Sequence, residues 1–273
     1  ADDTAAIQEA IDQAKASETF VVIPPGIYKT TAPLTYRVPI HGFVGAGSPG
    51  ESTQLSGTQL RPEGDGPCIE IDVDSDYWQI RDITINGRNA DASAIGIESA
   101  GSPATGATRY NLRDCKLINL GTGARLRGWI GTIDNVFALG NTTGLHLDYA
   151  HGVQVVGGEY QNNSIGINAN GSCVSFHGTV IEGNSSACVV SEDVSQDSTL
   201  NFSGVYFEQS HETAPFARFN GSRVVSMFGC YASTNNANAF EFENVKAVRN
   251  SAMYAGSATF LFTNCPNIIN DTL

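Results

Sequence analysis

Three glutamates, Glu159, Glu182 and Glu208, and three tyrosines, Tyr206, Tyr231 and Tyr254, recur at near-regular separations in the second half of this 273-residue chain. Paired carboxyl groups can hydrolyse a glycosidic bond. One protonates the leaving oxygen while the other attacks the sugar or activates a water. Tyrosines in a row could form a platform for sugar rings, whose apolar faces stack on aromatics. Gln161 lies two residues past Glu159, and His211 three past Glu208. His211 and His177 are candidate bases for an eliminative cleavage, although each also suits a turn or packing position. Residues so far apart in sequence act together only if the chain returns to the same place once per interval.

The chain does repeat. The segments WQIRDITI, YNLRDCKL, GTIDNVFA, VQVVGGEY, VSFHGTVI, LNFSGVYF, VSMFGCYA and VRNSAMYA are of one kind. Their third residues are Ile80, Leu112, Ile133, Val155, Phe176, Phe202, Met227 and Asn250, with successive intervals of 32, 21, 22, 21, 26, 25 and 23 residues. A second strand-like piece follows each of these anchors, from AIGIES to TFLFTN. A repeat of about 22 residues made only of short strands cannot bury its own apolar face, whereas stacked copies form one continuous core. The expected fold is therefore all-β, a single-stranded right-handed parallel β-helix. A leucine-rich repeat lacks its Leu spacing and helix here, and a β-propeller blade needs ~40 residues. Eight residues past successive anchors stand Asn141, Asn163, Asn184, Ser210 and Asn235. Amides stacked at a turn can bond from coil to coil, so this column predicts a ladder. The ladder also explains N-x-S/T matches such as Asn184-Ser185-Ser186 better than glycosylation does.

The first part is built differently, for all 21 Asn lie after residue 85. Ala5, Ile7, Ala10, Ile11 and Ala14 recur at helical spacing behind Asp2-Asp3-Thr4, which predicts a capped amphipathic helix over 4–16. Strand-like FVVI, the turn Pro24-Pro25-Gly26 and IYKTTAPLTY follow. The expected organisation is one continuous domain, with cap helix and irregular coils in 1–76 and regular coils in 77–273. The opening DDTAAIQEAIDQA, FVVIPPGIYKTTAPL and VPIHGFVGAGSPG, with the later IEGN at Ile181 to Asn184, resembles the pectate-lyase-like β-helix domain of bacteriophage tailspikes and related polysaccharide-cleaving proteins. The resemblance implies that the helix caps the first coil. It also implies a polysaccharide-acting protein of a virion or the cell exterior, homotrimeric when complete, with virion-binding and trimerisation parts that this sequence does not match. The fold itself hosts hydrolases, lyases, epimerases and plain binding proteins.

Strand alternation then assigns faces. The third and fifth residues after each anchor are mostly apolar or small, as in Ile83/Ile85, Cys115/Leu117, Val136/Ala138 and Val205/Phe207, and should point inward. The fourth and sixth should face solvent, which puts Glu159/Gln161, Val180/Glu182, Tyr206/Glu208, Tyr231/Ser233 and Tyr254/Gly256 on one surface. With strands ~4.8 Å apart, Glu182 and Glu208 are expected about 5 Å apart, and Glu159 and Glu182 about 8 Å. These spacings match the ~5–5.5 Å of retaining and the ~6.5–9.5 Å of inverting glycosidases respectively. Stacked carboxyls would raise each other's proton affinity, which is how one stays protonated as general acid. The expected activity is hydrolysis of a bacterial surface polysaccharide, capsule or O-antigen, with Glu182 as acid and Glu208 or Glu159 as its partner. Tyr206, Tyr231, Tyr254, Gln161 and His211 would bind substrate. A non-catalytic glycan-binding module and a polysaccharide lyase are the alternatives. The structural reading of the same residues is a solvating acidic face.

Composition narrows the partners. Lys+Arg number 15 against 28 Asp+Glu, a net charge of −13, which disfavours nucleic acid and mildly favours a neutral glycan unless cations line the groove locally. No apolar run approaches the ~20 residues of a membrane span. The opening Ala1-Asp2-Asp3 carries neither initiator Met nor secretion signal, as expected of a piece of a longer protein. Six scattered cysteines without C-x-x-C spacing argue against zinc and read as buried free thiols. Asp72, Asp74 and Asp76 alternate and could hold Ca²⁺, but the Gly and closing Glu of an EF-hand loop are absent, so no metal and no cofactor is assigned. Gly45 to Gly50 matches G-x-G-x-x-G, yet Pro49 sits inside it and no helical pattern follows, so it reads as a turn. His146 and Asp148, with Arg125 and Arg127 one coil earlier, form a second acid/base candidate whose more ordinary reading is an ion-pair network.

Overall fold

The computed structural model describes residues 2–17, 19–36, 42–47, 57–71, 77–88, 93–99, 109–193, 197–209, 214–234 and 239–272. Asp72, Asp74, Asp76, Ser210, His211, Asn235 and the end of the glycine-rich turn at Ser48 to Gly50 lie outside them.

The chain winds through three parallel sheets. Sheet A contains the anchors, sheet B the strand that follows, and sheet C the second strand-like piece of each repeat. All eight anchors fall in one register column of sheet A, from Ile80↔Leu112↔Ile133 to Phe202↔Met227↔Asn250. The anchor segment is not one strand, however. It breaks two residues past the anchor, at Asp82, Asp114, Asn135, Gly157, Gly178, Gly204 and Gly229, each with φ between 49° and 61°. Only Gly, Asn and Asp take that left-handed conformation readily, so this position makes the A-to-B corner. Sheet B has nine strands among the described residues. Sheets A and C merge where Thr143–Val156 runs through both without interruption.

The inward residues form one core. Ile83, Ile85, Cys115, Leu117, Ala138 and Phe207 are fully buried, and aromatic rings stack from coil to coil, as in Phe176 on Phe202 at 4.8 Å and Trp78 on Tyr110 at 5.0 Å. The ring of Tyr110 is accommodated by Gly131 in the next coil, where a Cβ would lie 2.3 Å from it. Four cysteines, Cys68, Cys115, Cys188 and Cys230, are buried free thiols, and Cys173 and Cys265 are half-buried and also free. Burial pushes the Cys68, Cys115 and Cys188 thiols up to about 12.

The predicted helix is Thr4–Ser17. Ile7, Ile11 and Ala14 face the core. Asp2 caps it by accepting from the Thr4 amide at 3.0 Å and ties it to the coil through the Thr31 hydroxyl at 2.6 Å. The Gln8 side chain pairs with both backbone groups of Thr35, so the helix closes the end of sheet C. At the B-to-C corner, Asn141 donates Nδ2 to Asn163 Oδ1 at 3.0 Å, and Asn163 repeats this to Asn184 at 3.2 Å. Each amide also donates to a backbone carbonyl of the coil before, Leu117, Ala138 or Tyr160. This is the expected ladder at Asn141, Asn163 and Asn184.

Candidate functional site on sheet B

Two outward columns cross sheet B. One runs Phe137↔Glu159↔Val180↔Tyr206↔Tyr231↔Tyr254, the other Leu139↔Gln161↔Glu182↔Glu208↔Ser233. Glu182 on Val180–Glu182 is thus directly opposite Glu208 on Tyr206–Gln209, one parallel strand spacing of ~4.8 Å away. Glu159 is displaced from Glu182 by one strand and two residues. All three carboxylates are half-buried.

Alternation along a strand settles which way each Cβ points, and neighbouring side chains settle the rest. Gln161 donates its amide to Glu182 Oε1. The Tyr206 hydroxyl donates to Glu208 Oε2 at 2.7 Å, reaching two residues along its own strand. That bond holds the phenol proton and, with some burial, pushes the Tyr206 pKa up. Glu182 and Glu208 therefore each have one oxygen held by a neutral donor. No ion pair among the described residues engages Glu182 or Glu208.

The tyrosines stack on one another. Tyr206 and Tyr231 are 5.4 Å apart and 5° from parallel, Tyr231 and Tyr254 4.9 Å and 10°. Their faces are turned to each other, so the column presents ring edges and hydroxyls along its length. Tyr231 and Tyr254 are exposed and Tyr206 is half-buried. The structure brings together Glu159, Gln161, Glu182, Glu208, Tyr206, Tyr231 and Tyr254. His211 lies outside the described residues. His177 does not join them. It ends the sheet A strand Cys173–His177, exposed and in register with Val156 and Ser203.

Solved structures share this architecture. The enzymatically active domain of bacteriophage CBA120 tailspike protein 2 superposes with a TM-score of 0.67 at 14% identity over 96% of this chain and 44% of its own. The tailspike protein of Acinetobacter phage vB_ApiP_P1 gives 0.66 at 11% identity, over 96% and 56%. This is a tailspike-like parallel β-helix. The mannuronan C-5 epimerase A-module of Azotobacter vinelandii follows at 0.52 and 14% identity, over 100% and 96%. The chain spans about half the length of the tailspikes it matches. No protein-family model and no curated protein matches its sequence. At these identities the likeness carries the fold alone.

Proposed function

We propose that this tailspike-like β-helix is the body of a depolymerase that hydrolyses glycosidic bonds of a bacterial surface polysaccharide, capsule or O-antigen, along the outer face of sheet B. The complete protein would be a homotrimer of a virion or the cell exterior, as the tailspike likeness suggests. The observation that carries the reading is the register pair Glu182↔Glu208, each member with one oxygen anchored by a neutral donor and the other bonded to none of the described residues. Glu182 protonates the glycosidic oxygen while a Glu208 oxygen attacks the anomeric carbon and the C–O bond breaks. Glu182, now a carboxylate, then takes a proton from water, which attacks the same carbon and releases Glu208. A one-strand separation matches the shorter, retaining carboxyl distance. Glu159 is the base of an inverting variant. Gln161 and the tyrosine hydroxyls, joined by His211, hold the flanking sugars.

The test is a reducing-end assay with ultraviolet absorbance recorded in parallel on capsule and O-antigen preparations. New reducing ends without absorbance are expected. Glu182→Gln should lower the rate at least about 10³-fold with binding retained. Absorbance from an unsaturated product would make the protein a lyase. The tyrosine column favours one further reading, a glycan-binding module, and saturable binding with no cleavage on any preparation would establish it.

A further inference from the structure

Sheet C carries a second cluster of chemistry that the carboxylate pair does not use. Arg125 pairs with Glu98 at 3.1 Å, and Arg127 Nε donates to Asp148 at 2.8 Å one coil on. These are the ion pairs expected of a surface network, but they leave a residue unexplained between them. His146 sits in register with Arg125 on one side and Asn168 on the other. Arg125 Nε, His146 Nε2 and Asn168 Oδ1 are all buried atoms without a hydrogen-bond partner. Leaving a buried polar atom unpaired costs its full desolvation. Three in a row across consecutive coils on an outward face point to a group that binds there.

The adjoining corner supports this independently. Among the described residues, seven of the nine non-glycine residues with positive φ are Asp or Asn, and Tyr149 is the only aromatic. Its φ is 53°, and its counterpart one coil on is Gly171 with φ 56°. A bulky residue is strained in that region, so it calls for a compensating role. Tyr149 is 43% exposed, and its ring lies against Gly171, where a Cβ would be 2.9 Å from it. Trp129, two residues past Arg127, is 46% exposed and stacks on His151 at 5.0 Å.

We propose that this face is a second glycan subsite taking a carboxylate-bearing sugar unit, with Arg125 and Arg127 on the carboxylate, His146 and Asn168 on hydroxyls, and Trp129 and Tyr149 against the ring. A guanidinium has five N–H groups, so each arginine keeps donors beyond its ion pair. The missing partners are an acceptor for Arg125 Nε and hydroxyls for His146 Nε2 and Asn168 Oδ1, and a sugar acid supplies both. The pairs Arg125–Glu98 and Arg127–Asp148 cancel each other's charge in a chain of net charge −13, and Glu70, in register with Glu98, adds a carboxylate at the far edge of the face. Burial and the neighbouring Arg125 push the His146 pKa down, which keeps the imidazole neutral for hydroxyl recognition.

Calorimetric titration of the chain with galacturonate, glucuronate and mannuronate trisaccharides and their methyl esters tests this. At least one acid should bind and its ester should bind at least tenfold more weakly. Arg127→Ala should weaken the acid at least tenfold. Tyr149→Gly should weaken it severalfold while Tm holds or rises, because glycine takes φ 53° without strain. The proposal is overturned if no acid binds saturably or if acid and ester bind alike. It is equally overturned if Tyr149→Gly lowers Tm and leaves binding unchanged, the signature of a packing role.

Discussion

On sheet B, Glu182 and Glu208 stand side by side with neutral donors and no ion-pair partner among the described residues, whereas on sheet C Glu98 and Asp148 are each met by an arginine. Both faces are laid out by the same parallel register, and their half-exposed side chains alternate with the same inward apolar residues. The scaffold therefore sets where a side chain stands, and the residue type at each register position decides whether charges are concentrated or cancelled. Concentrating like charges costs stability and, on the proposed reading, supplies the two carboxyls of a hydrolase. Cancelling them creates a place where a further anion can be received.

The largest change to this comparison comes from the corner that separates the two faces. Asn163 is 2% exposed, accepts from the Asn141 backbone and side chain, and donates to Ala138 and Asn184. Asn163→Ala strands the Asn141 backbone N–H in the interior and leaves Asn141 Nδ2 with only its bond to Leu117, and should cost about 3 kcal/mol in urea unfolding. A loss under about 1 kcal/mol would mean that the corner holds without its amides.

A smaller effect isolates sheet B. Tyr206→Phe keeps the ring in its stack on Tyr231 but removes the donor to Glu208. Loss of one hydrogen bond to a charged group is worth about 1.5 kcal/mol, or roughly tenfold in kcat, with glycan binding retained. An unchanged kcat would show that Glu208 needs no orienting partner.

Why these residues meet was largely legible in the sequence. Strand alternation and the anchor spacing placed Glu182 opposite Glu208 and the tyrosines in one column, because period-two geometry fixes the direction of each Cβ. The amide ladder was legible for the same reason. Rotamers were not. That Gln161 turns to Glu182, Tyr206 to Glu208, and the tyrosine faces to each other depends on χ angles that spacing does not encode. The A-to-B corner was present as a column of Asp, Asn and Gly, but inside segments read as single strands. On sheet C, His146 and Asp148 were visible while Glu98, Trp129 and Tyr149 were not, since a left-handed tyrosine contradicts the preference a sequence reader relies on. The Tyr149 and Gly171 pairing, Tyr in one coil and Gly in the next, was the signal available.

The finest test concerns protons on sheet C. His146 is flanked by Arg125 and Arg127, which disfavour its proton, and by Asp148 and Glu98, which favour it, with burial deciding the downward shift. Because the folded pKa lies below the unfolded value of about 6.5, the unfolded chain binds a proton that the folded chain does not, and stability rises with pH through that window. His146→Gln should flatten the slope of unfolding free energy against pH just below 6.5, read as the difference between the two proteins so that other groups cancel. A bound uronate would bring a negative charge beside the imidazole and raise its pKa toward the unfolded value. The acid trisaccharide should therefore flatten the same slope in the unsubstituted chain, while a neutral glycan on sheet B should leave it unchanged. A slope insensitive to the acid would separate His146 from the arginines that receive it, and would return the sheet C cluster to an ion-pair network around a strained corner.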